Sequence, residues 1–280
     1  MKIRICADST CDLSPELIEK YGITITPLYI VRGSETLVDG VQITPDDQYA
    51  YFNETGRLCS TAAVNLQDYI DVFTRLRREC DAVLHFTISA DMSSCYQNAR
   101  LAAEEVGGVY VIDSRNLSTG IGHLVLDACE MAGEGMDAAS IAEELNRRKE
   151  KLDVSFVLDT LVYMHKGGRC SAVAALGANL LKLKPSIQVQ NGVMGVAKKY
   201  RGSLERCLCD YVRDKLAEPE TVDPRRIFLT DSGVDPAITA RVRQVVLECV
   251  PFEEVLQTRA GCTVSGHCGP NCFGILFYRK

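Results

Sequence analysis

The sequence predicts an α/β protein of two domains: an N-terminal domain on a parallel sheet covered on both faces, and a C-terminal α+β domain. Three observations predict this. β-rich apolar runs alternate with amphipathic helical runs as far as Lys151, the pattern of parallel strands joined by helical crossovers. Beyond it, two strand-like runs flank Asn191-Gly192, a dipeptide that favours a tight hairpin rather than a crossover. Finally, 280 residues exceed what one ordinary hydrophobic core accommodates. The expected domains are residues 1–152 and 153–280.

In chain order, Ile3 to Ala7 is a buried strand that delivers Asp8-Ser9-Thr10 into a loop. Ser14-Pro15 opens a helix, serine as cap and proline at its first position, and Tyr21-Gly22 closes it. Ile23 to Val31 alternates and is β-rich, so one strand is expected there. Thr44-Pro45 starts another helix by the same capping logic. Helix over Asn65–Arg77, strand over Ala82–Phe86, helix over Ser94–Glu105 and strand over Val109–Ile112 follow. Two further helices are expected from Thr119 to Ala132 and from Ala138 to Lys151. Ligands of such sheets sit at the carboxyl ends of strands, where Asp8-Ser9-Thr10, Thr87-Ile88-Ser89 and Asp113-Ser114 fall. In the second half, strands are expected over Val154–Leu158, Ser186–Gln190, Val193–Lys198, Ile227–Thr230, Val255–Thr258 and Gly274–Tyr278. Helices are expected over Ser171–Leu181, Ser203–Leu216 and Pro236–Glu248.

Bulk properties exclude several functions. The net charge of −6 argues against nucleic acid as a partner, because phosphate backbones require a basic face. The start, Met1 to Asp8, meets aspartate too early for a secretory signal. No window approaches the ~20 apolar residues of a membrane span. A cytoplasmic protein that does not span a membrane is expected. Thirteen cysteines, odd in number and scattered, do not form a disulfide framework. Their spacing lacks the paired Cys-x-x-Cys of zinc or iron–sulfur sites, so no metal and no cofactor are expected, and most should be small buried hydrophobes.

Five segments carry chemistry. Lys166-Gly167-Gly168-Arg169 places two glycines between two cations; glycine permits close approach and arginine offers a fork of donors to a carboxylate or phosphate. Met92-Ser93-Ser94-Cys95-Tyr96 lies between a strand end and a helix start, where exposed amides and hydroxyls suit an anion. Ser60-Thr61 precedes the helix capped by Asn65. Ser265 to Pro270 is a glycine-rich loop around His267, and Lys198 to Gly202 is basic. Each also has a structural reading, as a turn, a plain N-cap, a structural histidine or a solvated edge. No Gly-x-Ser-x-Gly elbow, His-x-x-Glu-His or Gly-x-x-x-x-Gly-Lys run occurs, so no catalytic residue is assigned.

Taken in order, Ala7-Asp8-Ser9-Thr10-Cys11-Asp12-Leu13, Ile88 to Gln97, Val111-Ile112-Asp113-Ser114, Lys166-Gly167-Gly168-Arg169, Leu183-Lys184-Pro185, Arg201-Gly202 and His267-Cys268-Gly269-Pro270 resemble the DegV family of bacterial fatty-acid-binding proteins. The likeness spans essentially the whole chain. It implies a two-domain fold with a Rossmann-like N-terminal domain, enclosing one long-chain fatty acid in a polar-ended pocket between the domains. It also implies presentation of that acid to a separate ATP-dependent fatty-acid kinase, with no turnover by the chain itself. By the same likeness Ser93 and Thr61 bond the carboxylate, with Ser94 beside them. Arg169 and His267 complete the polar end, and Arg201 lies toward the kinase. The sequence departs from the family where Thr61-Ala62-Ala63-Val64 replaces Thr-Ser-x-Pro, Ser93-Ser94-Cys95 replaces Ser-Gly-Thr, and Gly269-Pro270-Asn271 replaces Gly-Pro-Gly.

Elementary energetics are compatible with that expectation. A fatty acid gains ~0.8 kcal/mol per buried methylene, about 10 kcal/mol gross for a dozen. An unpartnered buried carboxylate would cancel much of it, so hydroxyls and a cation are needed at the polar end. Two rival classes remain: a serine-dependent acyl hydrolase or transferase using Ser93 and His267, and a binder of another amphipathic carboxylate.

Overall fold

The computed structural model describes residues 1–171 and 183–280; the helix expected over 171–181 lies, past its first residue, outside them. These residues form two compact units. One comprises Met1–Thr44, Cys59–Glu150 and Gly261–Thr263; the other comprises Pro45–Leu58, Lys151–Ala260 and Val264–Lys280. The sequence reading places one boundary between residues 152 and 153. The chain passes between units at Glu150 and Lys151, and it does so again around the two short exchanged segments.

In the first unit, β1 (Ile3–Asp8), β2 (Thr24–Thr26), β6 (Ala82–Thr87) and β7 (Val109–Asp113) form a parallel sheet in the order β2-β1-β6-β7. The expected parallel α/β architecture is present. Helix α1 (Pro15–Tyr21) is capped by the Ser14 hydroxyl, which accepts from the Leu17 amide, and ends at Gly22 in left-handed conformation. Helices α3 (Leu66–Arg77), α4 (Cys95–Val106), α5 (Thr119–Gly133) and α6 (Ala138–Arg148) belong to the same unit. In α5 every residue from Thr119 to Ala128 is buried, as befits a helix that is apolar nearly all round.

The single strand expected over Ile23–Val31 is two. Pro27 separates β2 from β3 (Tyr29–Arg32), and a residue without an N–H cannot continue a ladder. β3 instead pairs antiparallel with β4 (Glu35–Val38) and β5 (Ser60–Ala62) in a sheet of its own. Short strands with mixed exposure leave little period-2 signal, and neither β4 nor β5 was expected.

The second unit holds a six-stranded mixed sheet, β10-β9-β8-β13-β11-β12, built from β8 (Leu152–Val157), β9 (Leu183–Gln190), β10 (Val193–Arg201), β11 (Val222–Asp231), β12 (Glu254–Arg259) and β13 (Phe273–Arg279). The β9–β10 hairpin turns through Asn191 and Gly192, with φ of 51° and 85°, the positive values that select Asn-Gly. Helix α2 (Pro45–Thr55), α7 (Val162–Gly167), α8 (Leu204–Lys215), α9 (Pro236–Cys249) and α10 (Cys262–Cys268) follow in sequence, α10 beginning in the first unit and continuing in the second. Most of α10 was expected as a glycine-rich loop; a seven-residue helix with Gly266 inside it is too short to show a helical period. Tyr211 of α8 fixes helix to sheet, donating to the Ser155 carbonyl at 2.7 Å and accepting from the Ile275 amide at 3.2 Å.

All thirteen cysteines are free thiols, and none is exposed. No helix among the described residues is long and apolar enough to cross a membrane. No group of three or more potential metal ligands is found among them.

Candidate functional site

The carboxyl ends of β1, β6 and β7 carry Asp8, Thr87 and Asp113, and the loop after β6 carries Ser93. That loop is held from β7: the Asp113 carboxylate accepts from the Ala90 amide at 3.2 Å, and the Asn116 carbonyl accepts from the Ser89 amide at 2.9 Å. The Ser89 carbonyl in turn accepts from the Met92 and Ser93 amides. Backbone bonds and the Asp113 carboxylate thus fix the backbone at Ser93.

The Ser93 hydroxyl accepts from the Cys95 amide at 3.3 Å and donates to the Cys95 sulfur at 3.2 Å. Burial, followed by the Asp8 charge, pushes the Cys95 thiol up to about 12, so it stays protonated. Ser94 occupies the N-cap position of α4, but its side chain makes no capping bond and is exposed. The capping bond comes instead from Ser93, whose hydroxyl takes the first amide of α4, so the plain N-cap reading fits Ser93 and not Ser94.

Thr61 is the middle residue of β5, opposite Ile30 of β3, and half-buried. Helix α4 joins the Thr61 and Ser93 segments. The Asn98 amide donates to the Val64 carbonyl at 2.8 Å, while the Val64 backbone and the Tyr69 hydroxyl meet the Cys95 sulfur. Tyr69 also donates to the buried Asp8 carboxylate at 2.6 Å, whose oxygens receive the Ile88 amide at 3.3 Å and lie 3.3 Å from His85 Nε2. Burial opposes the charged form of His85, but Cys6 and Asp8 raise it to about 9.

In the second unit, Gly168 ends α7 with φ of 65°, which orients the exposed Arg169. Gly167 lies against the His267 ring: a Cβ there would stand 2.3 Å from Nδ1. The two glycines thus have separate reasons, one conformational and one steric. His267, in the last turn of α10, is held down to about 4 by burial and by the Arg169 charge. It is a neutral hydrogen-bonding group near neutral pH, and Arg169 carries the charge.

The basic stretch before Gly202 divides. Lys198 bonds Asp214 at 2.5 Å, Asp214 also accepts from the Tyr200 hydroxyl at 2.8 Å, and Arg201 is exposed at the end of β10.

The structure therefore ties Ser93 to the Thr61 segment, and His267 to Gly167 and Arg169. Sequence reasoning missed Cys95, Asn98 and the Asp8–Tyr69–His85 cluster as supports. Asn98 becomes a support only where α4 approaches the Val64 backbone, and the Asp8–Tyr69–His85 cluster only where β1, α3 and β6 meet.

The chain is similar over its whole length to known proteins. A family model described as "Uncharacterised protein, DegV family" matches residues 2–280. A DegV domain-containing protein of Caldanaerobacter subterraneus is 30% identical, over 100% of this chain and 99% of that one. A solved structure from Thermus thermophilus, described as fatty acid binding of a DegV family protein, superposes with a TM-score of 0.93 at 31% identity, with 100% of both chains covered. A stearic acid-binding protein from Eubacterium ventriosum superposes with a TM-score of 0.87 at 25% identity, over 99% of this chain and 98% of that one. With the family's ordered motifs on the strand ends and glycine turns described above, and its model matched nearly end to end, this chain belongs to the DegV family.

Proposed function

We propose that the chain binds one long-chain fatty acid without turning it over. In this reading its carboxylate is held by Thr61, Ser93, Ser94, Arg169 and His267. The observation that supports the reading most is the full-length likeness to the Thermus thermophilus DegV protein whose subject is fatty acid binding. The local geometry is compatible with it. Ser93 gives its proton to a thiol, a weak acceptor that a carboxylate would displace. A serine donating to sulfur, rather than to an imidazole, also lacks the base that would make it a nucleophile.

We further propose that the bound acid is presented to a separate ATP-dependent kinase in the cytoplasm, which would convert it to an acyl phosphate. The carboxylate is itself the nucleophile in that transfer, so this chain needs no catalytic base. Arg201, exposed at the end of β10, is assigned to the kinase-facing surface.

Native mass spectrometry of the purified protein, with extraction and identification of its cargo, tests the reading. A stoichiometric long-chain fatty acid is expected, and acyl ester substrates should not be hydrolysed. A chain that stays without lipid after incubation with assorted fatty acids would overturn it. Arg201→Ala should spare binding and impair phosphorylation by the kinase; release of the lipid instead would remove that assignment.

A further inference from the structure

Helix α2 (Pro45–Thr55) buries one residue, and that residue is polar: Gln48, 3% exposed. Among the described residues neither Oε1 nor Nε2 of its carboxamide has a hydrogen-bond partner. Buried side-chain amides are nearly always satisfied, and one with both ends open calls for a group that completes it. The same helix also packs aromatic rings. Phe52, one helical turn on from Gln48, packs on Tyr163 with ring centroids 5.0 Å apart, and Tyr49 meets the same ring edge-on at 5.9 Å. The amide itself lies against Gly266, where a Cβ would stand 2.9 Å from Oε1. The residue next to Gly266 is His267, already assigned to the polar end of the site. A buried, unmatched amide on a helix that also packs aromatic rings suits an apolar chain that carries one polar group.

The two open atoms define that group. A carboxylate only accepts, so it would satisfy Nε2 and leave Oε1 bare. A hydroxyl donates and accepts, and completes both. We propose that Gln48 recognises a hydroxyl on the bound acyl chain, so that the preferred ligand is a hydroxylated long-chain fatty acid. The inference rests on the fatty-acid-binding reading and deepens it. Gly266 has a part in it, as the residue whose missing side chain leaves the amide room.

Competition binding on delipidated protein tests this, using stearic acid and a set of hydroxystearic acids with the hydroxyl moved along the chain. Wild-type protein should bind at least one positional isomer roughly tenfold more tightly than stearic acid, the discrimination expected when a buried polar pair is completed rather than left open. Gln48→Leu, similar in volume, should abolish that preference while retaining stearic acid, and Gln48→Met should behave likewise. If wild-type protein binds stearic acid as tightly as every isomer, Gln48 is matched by water and the inference fails, with fatty-acid binding intact. A preference that survives in both variants assigns the hydroxyl to another residue and also overturns it. Binding of no fatty acid at all is a different failure, that of the underlying reading.

Discussion

Ser93 donates to the Cys95 sulfur at 3.2 Å, and the chain just beyond Thr61's strand is fastened to the same helix through Val64. Both hydroxyls are therefore placed by the fold rather than by each other. Ser93→Ala and Thr61→Val should each weaken fatty-acid binding by roughly 1–3 kcal/mol, the cost of an unpaired buried acceptor. Unchanged affinity in both variants, by calorimetry, would remove the head-group assignment. His267 offers a pH test. Its folded value of about 4 lies below the ordinary 6.5 because of burial and Arg169. Between pH 6.5 and 4 the unfolded chain takes up a proton that the folded chain refuses, so the contribution of His267 to stability falls as pH falls through that window. Asp12 runs the other way: burial, partly offset by the Ser118 hydroxyl and the Gly261 amide, raises it to about 7, so its contribution falls as pH rises. Subtracting the two unfolding profiles isolates the histidine. Urea titrations from pH 4 to 7 should show His267→Gln losing about one proton of linkage relative to the parent; identical slopes would mean the ring is not held neutral.

At the scale of elements, α4 is the part that links the Thr61 and Ser93 segments. Its first turns present Cys95 to the Ser93 hydroxyl and Asn98 to the Val64 carbonyl. Asn98→Ala should cost about 1 kcal/mol of stability for one lost hydrogen bond. If the helix also sets the carboxylate geometry, the variant should lose affinity for a fatty acid while keeping that for the matching fatty alcohol. Equal losses for acid and alcohol would reduce Asn98 to a structural bond. The α7 turn illustrates how local sequence and tertiary contact combine. Gly168 is dictated by its positive φ, a backbone requirement visible in sequence as a turn signal. Gly167 has no such requirement; it is glycine because the His267 ring occupies the space of a side chain.

At the scale of the molecule, binding and stability are linked. A ligand that binds only the folded chain adds RT ln(1 + [L]/Kd), about 2.7 kcal/mol at a hundredfold excess over Kd. Protein carrying its extracted cargo should therefore melt above the delipidated form in calorimetry, and the gap should shrink in Ser93→Ala. A melting temperature indifferent to fatty acid would count against specific binding. The net charge of −6 is compatible with a small anionic ligand because the cations are local: Arg169 adjoins His267, while several others pair with carboxylates, as Lys198 does with Asp214 and Arg279 with Asp153.

The sequence by itself determined the α/β class, the order of most elements and several of their ends. The Ser14 cap, the Gly22 stop and the Asn191-Gly192 turn depend on one or two residues obeying backbone rules, and such rules are legible in one dimension. It also placed Ser93 beyond a strand end and linked Gly167 and Gly168 to a close approach. Tertiary structure alone decided that Pro27 divides two sheets, that Gly266 and His267 lie on a helix, and that Cys95 and Asn98 support Ser93 and Thr61. It alone left the Gln48 amide buried without a partner among the described residues. The physical reason is the same in each case. Periodicity reports which face of an element is apolar, whereas a hydrogen bond between residues 34 positions apart, such as Asn98 to Val64, exists only once packing has brought their backbones together.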